Sequence, residues 1–197
     1  MTQTQAPLGE STNANPADTE PGDAKPAGGE PAGAAMTRSR TFEWADPSVN
    51  AALIGRRSGL DLLRAMIAGD LPVPPVMRLI GASRLEADEG RVAVEMTAQE
   101  FHYNPLGSVH GGVLSTLLDT AAGCAVHSTL PAGVGYTTLD LSVKFLRPVT
   151  TGSGLLRCEG TVLSCGRRTA LAEARLTDGS GRLAAHATSS CLIFEIP

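Results

Sequence analysis

Apolar positions change their spacing several times along the chain, and each change marks an element. Residues 59–69, GLDLLRAMIAG, have the period of a short amphipathic helix that stops before the breakers Pro72, Pro74 and Pro75. Two strands are expected next, over 77–85 and 91–98. In the second, Val92, Val94 and Met96 alternate with Ala93, Glu95 and Thr97, and the turn Asp88-Glu89-Gly90 makes the pair a hairpin. Residues 111–128 read as a helix that is apolar on nearly every side. Val113, Leu114, Leu117, Leu118, Ala121, Ala122, Cys124, Ala125 and Val126 leave it no broad wet face, so burial is expected.

Four alternating segments follow. In 137–147, Leu139, Leu141, Val143 and Phe145 share one face, with Asp140, Ser142 and Lys144 on the other. Segments 154–166 and 168–177 are split at Gly166, and 182–195 comes after the turn Asp178-Gly179-Ser180-Gly181. Short links favour antiparallel pairing, and a sheet with one apolar face must be covered. The long apolar helix is the available cover. The expected fold class is therefore α+β, a curved antiparallel sheet wrapped around one central helix.

Composition narrows the function classes. The chain has 197 residues and a formal net charge of -4. Residues 1–36 hold five of the 20 acids and one of the 16 bases, leaving the remainder balanced at 15 of each. A neutral body has no broad electrostatic footprint for nucleic acid, although local basic clusters still suit a phosphorylated small molecule. Residues 1–36 contain no aromatic and much Ala, Gly and Pro, too little apolar bulk to offset chain ordering. The expected organisation is a disordered acidic tail over 1–47 and one domain over 48–197. Met36 opens the more ordinary sequence, and a natural start there is an expectation that intact mass would settle. No run resembles a signal peptide or a membrane span, so a cytoplasmic location is expected. The four cysteines lack CxxC spacing and the four histidines lack HExxH spacing, so reduced, buried thiols and no metal site are expected.

The chemistry concentrates between Asn104 and Gly123, NPLGSVHGGVLSTLLDTAAG. A turn carrying Pro105 and Gly107 opens into the helix, whose first N–H groups lack internal partners and carry the positive end of the dipole. Gly111 and Gly112 leave that backbone bare. Either it forms an oxyanion hole at Gly111 or its neighbour, or the glycines serve tight packing of loop on helix. His110 stands beside them, as a loop-fixing residue or, alternatively, a catalytic one. Asp119 sits in the middle of the apolar helix, where a carboxylate needs a partner, a raised pKa or a task. Eight residues separate it from Gly111, about 12 Å along the axis. One carbonyl at the helix tip cannot easily meet a group that far down the same helix. If both residues are catalytic, two antiparallel helices in a two-fold dimer must share the site.

The pattern NPxGxxHGG at Asn104 to Gly112, an acid eight residues after the first helical Gly, and the strand from Tyr136 to Pro148 resemble the hotdog-fold acyl-CoA thioesterases. The branch is the PaaI-like and Arthrobacter-type 4-hydroxybenzoyl-CoA thioesterases, and the resemblance covers about residues 75–195. It implies hydrolysis of an acyl-CoA, aromatic or of short to medium length, to the free acid and CoA. CoA is then part of the substrate, and no further cofactor is called for. In this resemblance Gly111 N–H polarises the thioester carbonyl and Asn104 orients substrate or water. Asp119 of the partner subunit acts as general base or nucleophile. Thr138, or its neighbour Thr137, positions the attacking water. Gly112 lies at the same helix tip, and Arg147, Arg167 and Arg168 are the candidate phosphate partners, with Thr169 and Ser189 weaker ones. The Arthrobacter-type enzymes use Glu with a Thr one turn on, whereas this chain has Asp119 followed one turn on by Gly123, which favours the Asp-using branch. The resemblance also implies a homodimer, commonly paired again into a tetramer. The alternatives are a hotdog dehydratase or hydratase, and a non-catalytic acyl-CoA binding or sensing module.

Overall fold

Alternating segments that share one apolar face assemble here into a single sheet of six antiparallel strands, in the order β1-β2-β4-β5-β6-β3. The structure is a computed structural model that describes residues 36–196; of the tail expected over 1–47, residues 1–35 lie outside the described residues, and residues 36–46 form no helix or strand. Thr41–Pro197 form one compact unit. Its helices are α1 (Ser48–Ala51), α2 (Gly59–Ala68), α3 (Pro75–Ile80) and α4 (Gly111–Ser128). Its strands are β1 (Ala82–Asp88), β2 (Arg91–Thr97), β3 (Val134–Phe145), β4 (Leu155–Cys165), β5 (Thr169–Thr177) and β6 (Leu183–Glu195).

The sheet curves around α4 as expected. Leu156, Cys158, Ala172, Ala174, Leu176, Ala185 and Ala187 are fully buried on the face that meets Leu117, Leu118, Ala121 and Ala122 of the helix. Small residues let the backbones come close. At Gly160 of β4 the approach is closest, because an added methyl group would collide with the Ala121 carbonyl of α4. Irregularities in register at Ala82/Arg84, Thr138/Asp140 and Val162/Ser164 are consistent with a bent rather than flat sheet.

Three expectations are corrected. The strand expected over 77–85 begins as helix α3, because Pro75 occupies the first helical turn and Gly81, at φ 72°, closes it before β1. Leu139 does not share a face with Leu141, Val143 and Phe145. The register of β3 slips between Thr138 and Asp140, which puts Leu139 out of alternation and leaves it 58% exposed. Helix α4 is not buried all round either. Val113, Ser115, Thr116, Asp119, Thr120, Cys124 and His127 are half-buried and Gly112 is exposed, so the chain's own sheet leaves a stripe of the helix partly open. Of the cysteines, Cys158 and Cys191 are buried, Cys124 is half-buried and Cys165 is exposed; all four are free.

The close approach at Gly160 predicts that Gly160→Ala destabilises the fold by about 1–3 kcal/mol through forced separation of β4 and α4. A thermal melt followed by circular dichroism should show Tm falling by several degrees. An unchanged Tm would mean that the sheet and helix can move apart freely.

Candidate active site

The loop before α4 is closed by its own side chains. Leu106 N–H and Ser108 N–H donate to Asn104 Oδ1 at 2.9 and 3.3 Å, and Asn104 Nδ2 donates to Ser108 Oγ at 3.2 Å. Gly107, at φ 78°, permits the turn that this requires. His110 caps the helix. Its N–H donates to the His102 carbonyl at 2.8 Å, and its Nδ1 accepts from Gly112 N–H at 2.9 Å. His102 carries no motif that marks it in the sequence. It is buried, accepts from Gln99 N–H at Nδ1 (3.0 Å) and reaches the Ile80 carbonyl with Nε2 (2.9 Å), which requires the proton on Nε2.

These bonds separate the two glycines. Gly112 N–H is occupied by His110, whereas Gly111 N–H has no acceptor among the described residues. The Phe145 ring packs against Gly111, with Cζ 3.0 Å from where a Cβ would stand. Gly111, Asn104, Phe145 and Arg147 line a cavity of about 330 Å³ at this end of the helix.

Asp119 lies half-buried on the open stripe of α4, and Thr138 Oγ1 of β3 donates to its Oδ1 at 3.0 Å. Alternation along β3 places Tyr136 and Thr138 toward the helix, whereas Thr137 is exposed. The register slip follows directly after Thr138. Gly123, one turn beyond Asp119, has no side chain, and the Tyr136 hydroxyl occupies the space that a Cβ would need. The adjacent Cys124 thiol is pushed up to about 12 by burial and by the Asp119 charge, so it is not a ready nucleophile.

A second and larger cavity, about 620 Å³, opens beside the later half of α4. Leu63, Met66, Ile67, Val73 and Met77 from the N-terminal helices and the segment between them form one wall, and Thr120, Cys124, His127 and Tyr136 face them. The sequence pattern alone did not single out His127 or Asn50 as lining residues. Alternation along the strand could have assigned Tyr136, which stands two residues before Thr138.

The candidate phosphate partners are not brought together within one chain. Arg147 is at the start of α4, whereas Arg167 and Arg168 are exposed in the β4–β5 turn. That turn lies near the end of the helix, where Cys165 Sγ is 3.6 Å from Thr129 Oγ1. The 18 residues of α4 span about 27 Å. Thr169 is exposed beside the same turn. Ser189 is fully buried and donates to the Asp140 carbonyl at 3.0 Å, which excludes it as a phosphate ligand.

A family model described as the thioesterase superfamily matches residues 106–185, a span that contains Gly111, Asp119 and Thr138. Human acyl-coenzyme A thioesterase 13 is 30% identical over 110 residues, which is 55% of this chain and 77% of that protein. The chain belongs to the thioesterase superfamily. Its fold is the hotdog fold of that superfamily. A crystal structure of a phenylacetic acid degradation-related protein from Ralstonia eutropha JMP134 is similar at a TM-score of 0.60 and 32% identity, covering 66% of this chain and 98% of that one. A Streptococcus mutans UA159 protein solved bound to acetyl CoA is similar at a TM-score of 0.52 and 26% identity, covering 56% of this chain and 87% of that one. Helices α1 and α2 of this superfamily member lie before the matched span.

The contrast between the thiols is directly testable. Iodoacetamide at pH 8 should label exposed Cys165 in the folded protein well before Cys124, as read by peptide mass spectrometry. Equal labelling rates would show that the Cys124 environment is open and its thiol ordinary.

Proposed function

We propose that this superfamily member hydrolyses acyl-CoA thioesters to the free acid and CoA, at a site shared between two copies of the chain. The observation that carries this reading is the half-buried Asp119 carboxylate, held by Thr138 on a stripe of α4 that its own sheet leaves partly open. Thr138 takes one lone pair of Oδ1 and leaves Oδ2 to accept a proton from water. Water adds to the thioester carbonyl as that proton passes to Asp119. The oxyanion formed is met by Gly111 N–H, and its collapse breaks the C–S bond and releases CoA, whose thiolate regains a proton. Asp119 adding directly to the carbonyl to give a mixed anhydride is the covalent variant of the same reaction. Thr138 is a positioning residue in either case. The reaction uses no cofactor beyond the CoA that the substrate carries.

The spacing favours sharing. Gly111 and Asp119 are eight residues apart on one rigid helix, about 12 Å. Strand β3 ends the sheet order, and Leu139, Phe145 and Leu146 on or beside it are each more than half exposed. An unpaired edge of this length invites a second strand. Two-fold pairing there would run the two α4 helices antiparallel and bring the Gly111 tip of one toward Asp119 of the other. It would also bring Arg167 and Arg168 of one copy toward the end of the site that holds Arg147 of the other. The similarity to a protein solved with acetyl CoA supports the CoA moiety, and the similarity to an acyl-CoA thioesterase supports the reaction.

Thiol release from a panel of short, long and aromatic acyl-CoAs tests the reading. Asp119→Asn should lower kcat by about 10²–10⁴-fold with the fold retained. Thr138→Val should lower kcat by roughly tenfold, the effect of one lost hydrogen bond to a charged group, with little change in KM. Undiminished hydrolysis by Asp119→Asn would remove that residue from the mechanism, and binding without release by the wild type would identify a sensing module instead.

A further inference from the structure

Helices α1–α3 do more than wall the larger cavity; they also carry its rim. Ile54 and Ile67 line the cavity and still face water, at 39% and 46% exposure. Val49, next to Asn50 on α1, and Val76, next to the lining residue Met77 on α3, are exposed to a similar degree. The rim is fixed in place. Asn50 Nδ2 donates to the Pro72 carbonyl at 2.8 Å, which ties α1 to the α2–α3 link. Gly133 N–H donates to the Gly55 carbonyl at 2.7 Å, which ties the turn after α1 to the residue before β3. Apolar surface therefore runs from Leu63, Met66, Val73 and Met77 inside the cavity out to a solvent-facing edge. An exposed apolar patch with a charged border is the mark of a contact surface.

The border here is cationic. Arg57 forms a backbone bridge with Ile54, and Arg64 stands one turn before Ile67 on α2. Arg78 lines the cavity together with both isoleucines. Arg56, Arg57 and Arg64 are exposed and have no carboxylate partner among the described residues. The first strands of the sheet treat arginine differently: Arg84 pairs with Glu86, Arg91 with Glu159, and Arg157 with Glu86 and Glu95. Residues 48–84 hold five arginines against two aspartates, a net +3, whereas residues 85–197 hold eight bases against eleven acids, a net −3. Glu43 and Asp46 fall before α1. The segment that builds the rim is thus the basic part of a domain that is acidic elsewhere.

We propose that this rim docks on the surface of an anionic membrane, its isoleucines and valines entering among the lipid chains and its arginines meeting the lipid phosphates. No helix among the described residues is long and apolar enough to cross a membrane, so the contact is with the surface. An acidic protein would match the arginines but not the aliphatic side chains, which open onto a cavity of about 620 Å³. A lipid phase matches both, and an acyl chain can pass from it into the cavity without crossing water. The contact does not rest on the hydrolytic reading; the entry of a substrate acyl chain by this route does. Helices α1–α3 all precede the span matched by the superfamily, so the surface is added to that shared core.

Co-sedimentation of the full chain with vesicles tests the contact. Vesicles of phosphatidylcholine are compared with vesicles that also carry about 30% phosphatidylglycerol. At low salt the chain should partition onto the anionic vesicles at least about tenfold more strongly, and most of that excess should vanish in about 0.5 M salt. Arg57→Gln with Arg64→Gln should remove about fivefold of the excess per arginine. Ile54→Ser with Ile67→Ser should lower binding to both kinds of vesicle by roughly tenfold. Val76→Ser, which leaves the cavity lining untouched, should lower it by about threefold and covers the case in which the double variant loses its circular dichroism. No retention on anionic vesicles overturns the proposal, and so does retention that either the arginine or the aliphatic substitutions leave unchanged. Capture of an acidic acyl carrier protein without retention on vesicles overturns it in favour of a protein partner. Retention on vesicles by a chain that hydrolyses no thioester keeps the membrane contact and overturns the hydrolytic reading.

Discussion

The hydrogen bond from Thr138 Oγ1 to Asp119 Oδ1 ties the middle of the central helix to the edge strand of the sheet. A carboxylate among Leu117, Leu118, Ala121 and Ala122 could be tolerated only with a partner or with access to water. Asp119 has both, and each shapes the surroundings. The partner requires β3 to present Thr138 inward, and the register slip that follows puts Leu139 out of alternation. Access requires a stripe of α4 that its own sheet does not close, and Ser115, Thr116 and Thr120 share that half-buried surface with the acid. The helix is thus held tightly on the side of Gly160 and Ala121, and kept partly open on the side where the carboxylate stands.

The second constraint is the length of the helix. His110 takes up Gly112 N–H and leaves Gly111 N–H at one end, while Asp119 lies two turns on. The two cavities repeat the division, with one at the Gly111 tip and the other beside the half of α4 that follows Asp119. The proposed pairing of two copies resolves it, since it would place the tip cavity of one chain beside the acid and the larger cavity of the other. In that arrangement the oxyanion hole and the base have separate scaffolds, each rigid and neither dependent on loop closure.

Much of this was legible in the sequence because it rests on periodicity and on residues that punctuate it. The bounds of α4, the hairpin at Gly90 and the late strands follow from alternation and glycine turns, whereas parity counted from Leu141 and Val143 would turn Thr137 inward, and the slip after Thr138 is what brings Thr138 to Asp119 instead. What was not legible depends on contacts that are distant in sequence. A slip in register at Leu139 is invisible to a simple period-two pattern. The half-open stripe of α4 is invisible to composition, because polar and small residues there look the same whether a sheet, solvent or another chain covers them. Helix α3 escapes a reading in which Pro75 is only a breaker, because proline is also at home in a first helical turn. His102, Asn50 and His127 carry no local motif, and their roles emerge only once the N-terminal helices pack against α4.

The central claim is that one catalytic site needs two chains. It is tested most directly by mixing two variants that are each inactive, Asp119→Asn and Gly111→Val, and isolating the differently tagged mixed dimer. A shared site gives that dimer one intact tip facing one intact carboxylate. Thioester hydrolysis should then return to about half the wild-type rate per dimer, one of its two sites being whole. A mixed dimer as inactive as its parents would contradict the shared site and return both residues to a single chain.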